Sequence, residues 1–342
     1  MMIGKHTKLL IILLIIGILI SIPLSMLFGS ATLDVESVVG VMLYKLNPDK
    51  YPLASANLET IVWNLRLPRI LLAIAVGSGL SLCGVTMQAV TRNVMAEPYT
   101  LGVAAGASAM AALYISRIEG EVESLLGVNA FAFIGAILAM LLIFSLSAGR
   151  KYASNYKLIL TGIVIGMIFD AFRELIISTT ANPNKVNNIV LWAMGGFGAA
   201  RWDNILPAII VAAVGGTVIL LLGEKLNLLS VGEQTATTLG VSIKSLQKWI
   251  VLITSLVTGT MVASCGIISF VGLIVPHMVR KLVGSDHKKV VPVTALAGSF
   301  LLIWTDVLAR TVIAPEELAI AVLTSLVGGP FLILLMKKDK AA

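Results

Sequence analysis

The feature that most constrains this chain is a series of apolar runs of similar length. The first lies at about 9–29, and within it residues 9–27 are interrupted only mildly, by Ser21, Pro23 and Ser25. Others fall at about 61–91, 98–118, 127–148, 156–179, 203–223, 245–268, 290–312 and 317–336. A helix needs about 20 predominantly apolar residues to cross the hydrocarbon layer, since each residue advances it by only about 1.5 Å. A shorter piece at about 269–283 is broken by Gly and Pro. The expectation is an all-α polytopic membrane protein of about ten transmembrane helices, one of them broken or half-length. No polar linker divides residues 1–342, so a single membrane domain is expected.

Composition agrees. Of the residues, 58% are hydrophobic and 13% are charged, where a soluble domain carries roughly 25% charged residues. That is too little charge to cover a water-exposed surface, and lipid is the alternative solvent. Lys5 and Lys8 precede the first run, as in a signal peptide, but the run exceeds the usual ~7–15-residue core of such a peptide. A retained first helix is the better expectation.

The formal charge of +7 is explained by topology. With the N-terminus inside and the spans alternating, Lys and Arg collect roughly two to one on the inner side, as cytoplasmic loops require. Lys5, Lys8, Arg150, Lys151, Lys288, Lys289, Lys337 and Lys340 fall there. Both termini are therefore expected to be cytoplasmic, in a multi-pass protein of the cell membrane. The basic residues form no long soluble stripe, so nucleic acid is not an expected partner.

Motifs for chemistry are missing. There is no G-x-x-x-x-G-K-[ST] phosphate loop, since the only Gly-Lys pair, Gly4-Lys5, is followed by His6. Neither H-E-x-x-H nor G-x-S-x-G occurs. His6, His277 and His287 are not spaced as a metal cluster, and Cys83 and Cys265 are dispersed in apolar runs. No catalytic residue, metal or cofactor is expected in this chain.

Four features stand out. The polar loop at about 224–244 pairs Ser230 with Glu233 at capping-box spacing, and Gly240 suits a helix C′ position. That predicts one short capped helix on the cytoplasmic side, either packed on its own bundle or docking a soluble partner. The piece containing Gly272, Pro276 and His277 frees backbone groups that protein or a water-filled cavity must satisfy. Asp170, Arg173 and Glu174 lie inside a span, where each charge costs roughly 2.5–3.5 kcal/mol on insertion scales. Asp170 and Arg173 have ion-pair spacing; the cluster either lines a polar passage or locks two helices together. Lastly, Arg66, Arg69 and Arg310 place positive charge outside, against the inside rule, with Asp306 four residues before Arg310. An acidic external partner, an anionic solute or lipid headgroups would each account for them.

Together these segments resemble the FecCD family, the permease subunits of ABC importers for ferric siderophores, haem and cobalamin. Arg66-Leu67-Pro68-Arg69 opens the second span as in that family. Gln88 and Asn93-Val94-Met95-Ala96-Glu97-Pro98, then Leu101-Gly102-Val103 and Gly106-Ala107, are similar to its Q…N-P-L-A-x-P…L-G-x…G-A signature. Gly232-Glu233, Ala236 and Leu239-Gly240-Val241 are similar to its coupling loop. Phe270-Val271-Gly272-Leu273-Ile274-Val275-Pro276-His277, Arg280, Gly284, Asp286-His287 and Pro292 form the most distinctive stretch. Asp306, Arg310, Glu317-Leu318 and Gly328-Gly329-Pro330-Phe331 complete the pattern.

The resemblance implies ten helices per subunit, a second permease subunit (an identical copy is expected), two cytoplasmic ATPases that bind the ATP, and an external solute-binding protein. It implies that Arg66, Arg69 and Arg310 dock that binding protein. It places Ser230, Gly232, Glu233, Ala236, Leu239 and Gly240 at the ATPase contact. Gln88, Asn93 and Met95 would belong to the pathway and its cytoplasmic gate, although the usual Asn-Pro-Leu-Ala reads Asn93-Val94-Met95-Ala96 here. Asp170, Arg173 and Glu174 depart from the family's near-neutral fifth span and are expected to face the cavity. The rival is an ion-coupled secondary transporter using Asp170 and Glu174.

Overall fold

A computed structural model describes residues 4–52, 55–119, 127–147, 155–240 and 242–339. Arg150, Lys151, Val241 and Lys340, four residues named above, lie outside the described set. Among the described residues all regular structure is helical. In chain order the helices are α1 (Lys5–Ser25), α2 (Val35–Leu46), α3 (Ala56–Glu59), α4 (Leu67–Thr91), α5 (Val103–Leu113), α6 (Val128–Ser147) and α7 (Asn155–Ser178). They continue as α8 (Pro183–Ala193), α9 (Leu206–Leu221), α10 (Gly223–Val231), α11 (Glu233–Thr238), α12 (Ile243–Cys265), α13 (Val271–Val283), α14 (His287–Ala309) and α15 (Ile320–Asp339). A π-helical stretch, Thr60–Arg66, joins α3 to α4 without interruption.

Every apolar run read from the sequence contains a helix. Among the described residues five stretches are long and apolar enough to cross a membrane: Lys5–Ser25, Ala56–Thr91, Val128–Ser147, Ser245–Cys265 and His287–Ala309. The pair α9 and α10, bent by 52°, makes a sixth if it counts as one span. Helical Val103–Ile118 and Ile320–Leu334 are apolar but shorter. α7 has 24 residues but carries Asp170, Arg173 and Glu174.

Helix α4 is the axis of the bundle. It packs against α9, α12, α13 and α14, and 83% of the residues in an apolar 18-residue stretch of its span are buried, against 17% for α1. In lipid no hydrophobic force pulls helices together, so association relies on close backbone approach. The glycines supply it. A Cβ on Gly77 would lie 2.3 Å from the Gly298 carbonyl oxygen, and one on Gly84 only 1.7 Å from that of Gly272. Likewise Gly106 meets the Gly135 carbonyl, at 2.4 Å from the same hypothetical Cβ. Helix α1 instead shows Leu9, Leu13 and Leu19 at 56%, 56% and 62% exposure, an apolar surface suited to lipid.

At one end of the bundle, Asp34 caps α2 by accepting from the Ser37 N–H at 3.2 Å. Trp202 Nε1 donates to the Trp63 carbonyl at 2.9 Å, and the two rings meet tilted by 37° with centroids 5.4 Å apart. Lys45 pairs with Glu59 and lies over the Trp63 ring. Such amphipathic rings gather at headgroup level.

Candidate functional site

The break between α12 and α13 lies at 266–270 rather than at Pro276. Gly266 has φ +73°, and Phe270 takes the left-handed φ of +69°, which is rare for a bulky residue. Pro276 sits inside α13 without ending it. Having no N–H, it leaves the carbonyl of Gly272, four residues back, without its helical donor. Gln88 on α4 supplies a replacement: its Nε2 donates to the Gly272 and Leu273 carbonyls at 3.3 and 3.4 Å. Arg280 in turn donates to Gln88 Oε1. Gln88 is thus buried between two helices, and His277, half-buried, sets its ring edge-on to Phe331 at 5.8 Å.

The loop after α4 is bonded to this break. Arg92, with φ +50°, turns the chain out of α4. Asn93 Oδ1 accepts the Met95 N–H at 2.9 Å, which tightens the turn. Glu97 Oε1 accepts the Phe270 N–H at 2.7 Å. Burial pushes the Glu97 carboxyl up, opposed by that hydrogen bond. The Tyr99 hydroxyl donates to the Ile268 carbonyl at 2.8 Å and accepts from its N–H at 3.2 Å. Asn93 and Met95 therefore sit on a loop whose far end is fixed to the broken segment. In the sequence Glu97 figures only as part of the Asn93–Pro98 motif, with no role assigned to it, and Tyr99 is not singled out.

The polar loop read at about 224–244 contains two helices, α10 and α11, not one. Ser230 lies within α10 and its hydroxyl donates back to the Leu226 carbonyl at 3.0 Å. Gly232 is the N-cap of α11 with no side-chain cap, so the capping-box expectation is corrected: Ser230 is spent on its own helix. Glu233 opens α11, and Gly240, at φ +82°, follows the Leu239 cap as expected. Ala236 is buried, whereas Val231 and Leu239 are 71% and 61% exposed.

On α7, Arg173 bonds Asp170 at 3.1 Å and Glu174 at 3.0 Å, and reaches Ser108 of α5 at 3.5 Å. The side chains of Asp170 and Glu174 are 50% and 64% exposed on the surface of the single chain, and that of Arg173 22%. Bare lipid would be a costly neighbour for two carboxylates.

All three arginines are buried, and Arg69 and Arg310 share one network through Asp306. Arg69 donates from Nε to Asp306 at 2.7 Å and from both Nη atoms to Glu317 at 2.8 and 2.9 Å. Arg310 Nε lies 3.3 Å from Asp306 Oδ2, and its Nη2 donates to the Ser25 carbonyl at 2.8 Å. Arg66 donates to the Met26 and Ala31 carbonyls. Arg66, Arg69 and Arg310 are 6%, 8% and 3% exposed, so in this conformation they bind the chain's own α1, α14 and the segment before α15. Burial raises Glu317, but hydrogen bonds and charge from Arg69 prevail and hold it below the usual carboxylate range. The helical pair Asp306–Arg310 was readable from its spacing. The bond from Arg69 to Glu317, 248 residues apart, was not.

No group of three His, Cys, Asp or Glu side chains that could hold a metal ion occurs among the described residues. The model of the FecCD transport family matches residues 13–338. The chain belongs to that family. The hemin transport system permease protein HmuU of Yersinia pestis is 35% identical over 283 residues, covering 82% of this chain and 84% of HmuU. The iron(3+)-hydroxamate import system permease protein FhuG of Bacillus subtilis is 35% identical over 292 residues, covering 83% and 85%. A solved inward-facing conformation of a metal-chelate type ABC transporter superposes with a TM-score of 0.83 at 30% identity, over 96% of this chain and 98% of that one. This FecCD chain is therefore a multi-pass membrane protein with a transport role.

Proposed function

We propose that the chain is the permease subunit of an ABC importer that moves an iron chelate (a siderophore complex or haem) or cobalamin across the cell membrane. The observation that carries the reading is the end-to-end family match over residues 13–338. The names of HmuU, FhuG and the solved transporter support a metal chelate as solute.

In this reading ten elements span the membrane with both termini inside. They are α1, the stretch containing α4, α5, α6, α7, α9, α12, α13 as the short broken element, α14 and α15. ATP is bound and hydrolysed by two separate cytoplasmic subunits seated on α10 and α11, where exposed Val231 and Leu239 need an apolar partner on the water side. A second permease copy meets the α7 face, and Asp170, Arg173 and Glu174 line a watery passage between the copies. An external binding protein delivers the solute to the outer network. Because Arg66, Arg69 and Arg310 are turned inward, docking through them requires the network to open. Glu317, 43% exposed at its side chain, is its most accessible member.

Native mass spectrometry of the complex purified from membranes tests this assembly. Two copies of this chain with two ATPase subunits are expected; a lone chain that transports on an ion gradient would overturn it in favour of a secondary transporter. Reversing Arg66 and Arg69 to Glu should weaken binding-protein docking, and unchanged docking in a folded variant would remove the outer network from the account.

A further inference from the structure

Helix α10 is held in two physically different ways. Leu226 and Leu229 are buried with Ala89, Val90, Leu246 and Ile250, and such apolar contact is non-directional. Asn227 between them makes bonds of fixed direction. Its Nδ2 donates to Asp286 Oδ1 at 2.8 Å, and its Oδ1 accepts from the His287 N–H at 2.8 Å. A carboxylate only accepts and a backbone N–H only donates, so these partners fix the orientation of the amide. Asn227 Oδ1 also lies 2.8 Å from His287 Nδ1, which must then carry the proton. The same Asp286 oxygen accepts the Lys288 N–H at 3.0 Å as the N-cap of α14. Asn227 thus grips the corner where α13 ends and α14 begins, and the Lys288–Glu224 ion pair lies at the same joint. Hydrogen bonding from Asn227 holds the Asp286 carboxyl below its usual range.

We propose that Asn227 is a positioning residue of the transport cycle, joining α10 to the α13–α14 corner so that displacement of α11 reaches the broken helix. A purely apolar joint would let α10 roll and lose the motion in the loop. The inference rests on the permease reading above, because it assumes an ATPase that moves α11.

The test uses the reconstituted complex with its ATPases and binding protein. Asn227→Asp sets a carboxylate against Asp286. The swapped pair Asn227→Asp with Asp286→Asn restores one donor to one acceptor, and Asn remains a good N-cap. Loss of a charge-assisted bond predicts about tenfold less uptake per ATP hydrolysed in Asn227→Asp, recovering to within about threefold in the swapped pair. If Asn227→Asp fails to assemble, the neutral Asn227→Ser carries the test, with a loss in the same direction expected. Deuterium exchange over residues 223–231 of the purified chain should rise in the single variants and return in the swapped pair. Unchanged uptake per ATP, or unchanged exchange, in both single variants would overturn the proposal. So would a loss that persists in the swapped pair after exchange has recovered. A wild-type complex that hydrolyses ATP without any uptake would count against the permease reading, while the exchange measurement still judges the joint.

Discussion

Replacing Asp306 by Ala should be among the most damaging single changes to this protein. The side chain is 1% exposed and serves Arg69 at 2.7 Å and Arg310 at 3.3 Å. The bonded network holds two guanidiniums (Arg69, Arg310) and two carboxylates (Asp306, Glu317), a net charge of zero, and the substitution makes it +1. Unit charges about 4 Å apart at an effective dielectric of 20 interact by roughly 4 kcal/mol. That agrees with the ~3–5 kcal/mol lost when one partner of a buried pair is removed. Glu317→Ala is a matched control: its side chain is 43% exposed, it leaves Arg69 bonded to Asp306, and exposed pairs contribute about 1 kcal/mol or less. Thermal unfolding in detergent should show a drop of roughly 6–10 °C for Asp306→Ala, taking about 2 °C per kcal/mol. Glu317→Ala should shift the midpoint by roughly 2 °C on the same scale. Adding Arg310→Met to Asp306→Ala should recover part of the loss, because it removes a stranded charge. Equal midpoints for the two single variants would refute the claim that the network is an internal tie.

Three further outcomes follow from other contacts. Gly84→Ala puts a Cβ 1.7 Å from the Gly272 carbonyl oxygen and should cost upwards of about 1–3 kcal/mol, read as a lower melting temperature or lost folded yield. Tyr99→Phe strips Ile268 of both hydroxyl contacts. It should cost about 1–3 kcal/mol and raise deuterium exchange at residues 266–270, the amides flanking the break. Asp286 has a depressed folded pKa, so its stabilisation is full above the ordinary Asp value of about 3.9 and is lost as pH falls through the lower folded value. The melting-temperature gap between wild type and Asp286→Asn should therefore be constant at neutral pH and close only below about pH 4.

What the sequence disclosed, and what it hid, divide along a physical line. The apolar runs located the helices because a span's length is a local property of the chain. Spacing foretold the pairs Asp170–Arg173 and Asp306–Arg310 because both lie on a single helix face. The break before α13 was visible as a cluster of Gly and Pro, but its place was misjudged. Pro276 continues its helix because Gln88 satisfies the freed carbonyl of Gly272, 184 residues from it in sequence. The capping-box spacing of Ser230 and Glu233 misled for a similar reason: a hydroxyl has a local carbonyl within reach, and the chain used that instead. Contacts such as Arg69 with Glu317, Glu97 with Phe270 and Asn227 with Asp286 depend on tertiary packing, which no local pattern records. The outer arginines show the consequence. Their sign was legible, but their inward direction was set by partners on α1, α14 and the segment before α15.

Uptake into proteoliposomes tests the central claim most directly. The chain would be reconstituted with its ATPase subunits and solute-loaded binding protein, and a labelled ferric chelate, haem or cobalamin followed. Accumulation should require hydrolysable ATP on the coupling-helix side and the binding protein on the other, and should vanish when the ATPase is inactivated. Accumulation driven by an ion gradient alone, without ATP or ATPase, would contradict the account.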